Sequence, residues 1–175
     1  MTAVDLPWSV LDDYRCFGCS PHNPSGLRLR FEPDGDGLRS RFTLDRGFES
    51  YPGVVHGGLV GVICDETMGN LIVLRHGRSA FTVSMRQRFV SPLQTGRRYS
   101  CVARISDISD MSVAERRTYP VTAEVLDDDG VVCATAAASY RPFTLESVQD
   151  RLHLSGTEVA ALTAALSTLG NGAHA

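Results

Sequence analysis

From Gly57 to Leu74 the chain reads G-G-L-V-G-V-I-C-D-E-T-M-G-N-L-I-V-L, with Asp65 and Glu66 as its only charges. At helical spacing this segment is apolar nearly all round, so a helix formed here has no polar face to give to solvent. It must be wrapped by other elements rather than laid on a surface. The spacing predicts a helix over 58–74 that ends near His76-Gly77, a C-terminal stop. An ionised carboxylate in such a segment is costly unless something pairs with it or uses it.

The flanking sequence supplies the wrapping. Leu27 to Phe31 alternate apolar and basic residues, and P-D-G-D-G at 33–37 turns the chain into a second strand near Leu38–Leu44. A loop covers 45–56. After the helix, strand-like segments fall at about 80–90, 97–106, 112–126 and 131–142, the last two joined by the D-D-D-G turn at 127–130. On the first of these, strict alternation puts Phe81, Val83, Met85 and Phe89 on one face and Thr82, Ser84, Arg86 and Arg88 on the other. Pro120 implies an edge, a bulge or a break. The last strand, V-V-C-A-T-A-A-A-S-Y, is small-residue-rich and permits close approach of a neighbour. Residues 154–169 read as a peripheral helix capped at Ser155 or Thr157. The expected organisation is an irregular lead-in at 1–26, one domain at 27–143, and a C-terminal helix and tail at 144–175. The fold class is α+β, a curved antiparallel sheet of about six strands around one central helix.

Composition narrows the function. All 17 cationic side chains are Arg, so neither a Schiff-base enzyme nor a lysine-bearing P-loop fits. A net charge of −3 gives no footprint for nucleic acid. The central helix reads as too short, too glycine-rich and too charged at its middle to span a membrane. No signal peptide is evident, and five cysteines, three of them in apolar runs, read as reduced residues of a cytoplasmic protein. Cys16-x-x-Cys19 with His22 invites a zinc reading, but a second ligand pair is missing, so neither metal nor cofactor is expected.

His56-Gly57-Gly58 opens the helix, and a helix N-terminus presents free N–H groups at the positive end of a dipole. The glycines let a ligand approach that backbone. Asp65 lies two turns beyond Gly58 on the same side and is the candidate nucleophile or general base. Glu66 points about 100° away and reads as structural or interface-facing, with the working acid as its minority role. His56 is either a general base or a residue that shapes the turn.

These elements resemble the hotdog fold and, more narrowly, the PaaI-like acyl-CoA thioesterases. The similarity spans about residues 15–142. It rests on C-F-G-C with N-P-S-G-L-R-L-R-F, on Y-P-G-V-V-H-G-G with an acid nine residues after the His, and on T-V-S-M-R-Q-R-F-V-S-P at 82–92. The resemblance implies hydrolysis of acyl-CoA or acyl-carrier-protein thioesters by a homodimer or homotetramer with sites between subunits. It puts the acid at Asp65, the oxyanion donor at the Gly57 N–H and a hydroxyl from the partner subunit at Thr82. The family amide before Y-P-G is absent, and either Glu49 or Ser50 stands in its place. Arg86 and Arg88, with Arg97 and Arg98, are candidates for the CoA phosphates or simply a solvated face. A non-catalytic acyl-CoA binder or sensor on the same fold is the alternative.

Overall fold

A computed structural model describes residues 3–106 and 117–172. Strands β1 (Arg30–Asp34) and β2 (Gly37–Thr43) form the expected hairpin, with Gly35 in the left-handed region at φ 61°. The segment read as loop contains a 3-10 turn at 46–48 and a small ladder of β3 (Glu49–Tyr51) and β4 (Val54–Val55). Helix α1 (Gly57–His76) follows, then β5 (Ser79–Phe89), β6 (Arg98–Ile105), β7 (Tyr119–Asp127) and β8 (Val132–Phe143). A short helix α2 (Leu145–Val148) leads to α3 (Gly156–Gly172). The main sheet has six antiparallel strands in the order β1-β2-β6-β7-β8-β5. The part of the third expected strand at 112–116 lies outside the described residues.

Helix α1 starts on a His56 cap and ends on Gly77, whose φ of 58° suits a residue without Cβ. Its 20 residues are long and apolar enough to cross a membrane by length and composition, which corrects the expectation that it is too short. Its burial explains the apolarity. Strands β2, β5, β6, β7 and β8 all pack on it, and Ile63, Cys64, Met68 and Ile72 are fully buried. The small side chains Ala134, Ala136 and Ala138 are buried along β8.

Helix α3 is less peripheral than its sequence implied. Leu162 and Leu166 join Leu11, Val73 and Leu145 in a second apolar cluster on the far flank of α1. A capping box forms at its start, where Ser155 N and Oγ donate to Glu158 and Glu158 N donates back to Ser155 Oγ. Pro120 sits second in the interior strand β7, near the strand end where the missing N–H costs the ladder least.

Strand β5 departs from strict alternation, and the departure matters. Thr82 pairs with Tyr140 but Ser84 pairs with Ser139, so Val83 is an extra residue, a β-bulge. The bulge moves Thr82 onto the same face as Met85, Gln87 and Phe89, toward α1. Arg86 and Arg88 pair with Ala137 and Thr135 and keep the outer face.

Candidate active site

Asp65 stands at the middle of α1, where the helix crosses the ends of β5 and β8. Its Oδ1 accepts from Thr82 Oγ1 at 2.7 Å and from Tyr140 OH at 2.8 Å. Neither bond uses Oδ2. The Thr82 contact exists because the bulge turns Thr82 inward. The resemblance assigned this hydroxyl to the partner subunit; the structure sets it beside Asp65 of its own chain. Tyr140 went unnoticed in the sequence, although it is the one large polar residue closing a strand of small side chains. Burial, and then the charge of Asp65, push its phenol well above the usual range, so it stays a proton donor at any working pH. Beside Asp65 a cavity of about 180 Å³ is walled by Trp8, Tyr14, Phe81 and Phe143. The last two rings stack with centroids 4.1 Å apart.

Glu66, the next residue, lines the same cavity but bonds to different partners. Its Oε1 lies 3.0 Å from Cys16 Sγ, and its Oε2 accepts from Asn70 Nδ2 at 3.3 Å. Burial, and then negative charge on Cys16, push its carboxyl up to about 8. It holds the N-terminal loop against α1 and takes no part in the hydroxyl cluster at Asp65.

The helix start forms a second half of the site. His56 Nδ1 accepts from Gly58 N at 3.0 Å, so this ring is the helix cap and consumes the Gly58 amide. Among the described residues no acceptor meets the Gly57 N–H, the first orphan donor of the helix. Gly57 faces a groove of about 490 Å³ shared with Ser50, Tyr51, Phe89 and Val90. A Cβ at Gly57 would come within 3.3 Å of the Phe89 ring, a tight contact that glycine avoids. Glu49 is occupied in the turn. It accepts from Gly53 N at 3.0 Å and Thr95 Oγ1 at 3.4 Å, and pairs with Arg46 at 3.5 Å. Of the two residues standing where the amide is absent, Ser50 is therefore the one that faces the groove.

The structure brings Asp65 and Thr82 together and leaves Gly57 apart from them. Eight residues of helix at about 1.5 Å each separate Gly57 from Asp65, about 12 Å in all. One substrate carbonyl cannot touch both within a single chain. Arg86 and Arg88 lie with Arg104, Thr122 and Glu124 along a groove on the outer sheet face, remote from Asp65.

The thioesterase superfamily model matches residues 52–134, from the turn before α1 into β8. Comparison with curated protein sequences finds no match. Among solved structures, a thioesterase from Ralstonia eutropha JMP134 described as phenylacetic acid degradation-related is 23% identical. It superposes with a TM-score of 0.59 over 70% of this chain and 91% of that one. The PaaI protein of the Escherichia coli phenylacetic acid degradation operon gives a TM-score of 0.58 at 13% identity, covering 67% and 80%. A Streptococcus pneumoniae TIGR4 thioesterase solved with coenzyme A gives 0.57 at 16% identity, covering 66% and 85%. A further thioesterase superfamily protein gives 0.61 at 19% identity over 69% of this chain, which spans only 57% of that protein's length. The chain has the hotdog fold of these proteins, and over residues 52–134 it is similar to the thioesterase superfamily.

Proposed function

We propose that this protein hydrolyses a thioester of coenzyme A or of an acyl-carrier protein to a free acid and a thiol. The observation that carries the reading is the Asp65 carboxylate, fixed through Oδ1 by two hydroxyls in the wall of an aromatic-lined cavity, with Oδ2 left out of both bonds. Oδ2 attacks the carbonyl carbon or takes a proton from the attacking water. The negative charge gathering on the carbonyl oxygen needs an N–H donor within hydrogen-bond reach, and the open Gly57 amide is the one suited to it. The coenzyme A held by the Streptococcus pneumoniae neighbour supports a CoA thioester as the first substrate to try. Five free thiols suit a reducing compartment, and the cytoplasm is the proposed location.

The 12 Å between donor and acid is resolved by a second copy. Strand β5 is a sheet edge, 11 residues long, with Val83 and Phe89 each 52% exposed. A long apolar edge invites pairing. Thr82, beside Asp65, lies near one end of β5, and Phe89, beside Gly57, lies at the other. Antiparallel pairing of β5 with its own copy about Met85-Arg86 sets the Thr82 end of one chain against the Phe89 end of the other. The Gly57 amide of one subunit then faces the Asp65 carboxylate of its partner, in a homodimer or a dimer of such dimers.

The test is thiol release from short, medium, long and aromatic acyl-CoAs, with Asp65→Asn run in parallel. Release by the wild type, and its loss in a folded Asp65→Asn protein, is the expected result. Equal turnover by both removes Asp65 from the mechanism. Stoichiometric acyl-CoA binding without release from any substrate makes the protein a sensor instead.

A further inference from the structure

The C-F-G-C motif is not absorbed by the thioesterase reading. It folds as a tight loop under α1, and it brings Cys16 Sγ, Cys19 Sγ and a Glu66 carboxylate oxygen within 4.8 Å of one another. Among the described residues this is the one such grouping. We propose that Cys16, Cys19 and Glu66 form a site for a thiophilic divalent cation, with zinc the ion that fits best, and that the ion clips the N-terminal loop to α1 next to Asp65. The sequence pointed to His22 as the third group. The fold supplies Glu66 in its place, from 47 residues beyond Cys19.

Size and geometry agree with that ion. Zinc holds thiolate sulfur at about 2.3 Å and carboxylate oxygen at about 2.0–2.2 Å. Tetrahedral angles then set sulfurs about 3.8 Å apart and sulfur from oxygen about 3.6 Å. The Cys16–Glu66 pair, at 3.0 Å, needs only a small opening to admit an ion between its atoms. Three protein ligands leave the fourth position to water. Two thiolates favour zinc over magnesium or calcium, which prefer all-oxygen sites.

The surroundings are built to hold these ligands. Gly18 N–H donates to Cys16 Sγ at 3.3 Å, which supports a thiolate there. The loop presses so close that a Cβ on Gly18 would come within 2.1 Å of Glu66 Cγ. Tyr14 OH lies 3.3 Å from Cys19 Sγ. Asn70 Nδ2 orients the Glu66 carboxylate, and Trp8 Nε1 donates to Asn70 Oδ1 at 3.1 Å, so the ligand is braced from behind.

The experiment uses the full chain, reduced and stripped with a chelator, then titrated with Co²⁺ as a coloured stand-in for zinc. One Co²⁺ per chain should bind with an intense thiolate-to-metal charge-transfer band that Zn²⁺ abolishes, and Zn²⁺ alone should raise Tm. Cys16→Ser and Cys19→Ser should each remove the band, and Cys133→Ala, in a cysteine outside the cluster, should retain it. Glu66→Gln keeps both thiols and should weaken the ion by roughly tenfold or more. Circular dichroism of each variant separates loss of the ion from loss of the fold. Absence of the band in the folded wild type, or a band that survives Cys16→Ser, overturns the proposal. Neither result bears on thiol release from acyl-CoA, which tests the other reading separately.

Discussion

Tyr140→Phe isolates the contact that the sequence did not reveal. The substitution removes one oxygen and keeps the ring, whose Cε1 lies 3.8 Å from the position a Cβ would take on Gly69. Volume-conserving changes of this kind cost little in packing, so the fold should persist. What is lost is a 2.8 Å hydrogen bond to a carboxylate. Hydrogen bonds to charged groups contribute about 1.5–3 kcal/mol, which at about 1.4 kcal/mol per decade is a factor of about 10–100. On the proposed reading Tyr140 is a positioning residue, acting through Asp65, so the loss should fall on kcat and leave KM nearly unchanged. Thr82→Val removes the other hydroxyl on the same oxygen, at 2.7 Å. Because both bonds fix one carboxylate, either loss frees it to rotate, and the second loss should add little. Steady-state kinetics of the two single variants and the double variant on the best acyl-CoA decide the matter. Unchanged kcat in Tyr140→Phe refutes the positioning role, and a double variant whose loss equals the product of the single losses refutes the shared one.

Two further perturbations probe other parts of the fold. Val83→Asp places a charge in the exposed bulge of the β5 edge, and it should give a folded monomer by light scattering with thioesterase turnover lost; an active monomer would rule out the Gly57 amide as the oxyanion donor to an acyl group at Asp65. Asp34 is held below the usual carboxylate range first by Arg104 and then by Arg39, whose Nη2 lies 2.7 Å from Oδ1. The native state therefore binds fewer protons here than the unfolded chain, and the stabilisation is present above the ordinary value of 3.8 and lost as pH falls through the lowered one. Asp34 is only half-buried and its arginine partners reach solvent, so Asp34→Asn should cost only about 0.5–1 kcal/mol at neutral pH by urea unfolding, and that gap should close in acid. A gap that persists in acid would mean that packing, not charge, holds the hairpin.

The long-range organisation was legible because it follows from one helix. A segment with no polar face dictates its own wrapping, and turn chemistry at 33–37 and 127–130 divides the rest into strands. Asp65 was legible for a related reason, since charge in such a segment demands a partner. The partners were less so. Thr82 was assigned to the outward row by strict alternation, and only the extra residue at Val83 moves it inward. A bulge leaves no composition signal when the inserted residue is itself a good strand former. Tyr140 is 75 positions from Asp65, and no local pattern carries a contact of that range. The second apolar cluster was missed because Leu162 and Leu166 read as the weak stripe of a surface helix until Leu11 and Val73 are seen against them.

Asp65 and Glu66 show how consecutive residues on one helix acquire different chemistry from direction alone. A step of about 100° separates their side chains. The first meets two hydroxyls on β5 and β8, donors that hold a carboxylate in place without neutralising it. The second meets the thiols of the N-terminal loop and the Asn70 amide, where burial raises its pKa. An Asp65→Glu, Glu66→Asp exchange keeps both charges and both positions in the chain. It lengthens the arm that must fit under Thr82 and Tyr140, and shortens the one that must reach Cys16. The helix carries the Asp65 pocket and the open Gly57 amide about two turns apart. On the proposed thioesterase reading, an acid and an oxyanion donor at that separation on one rigid element call for a second copy, whose same helix, running the opposite way, would offer both groups in matching order.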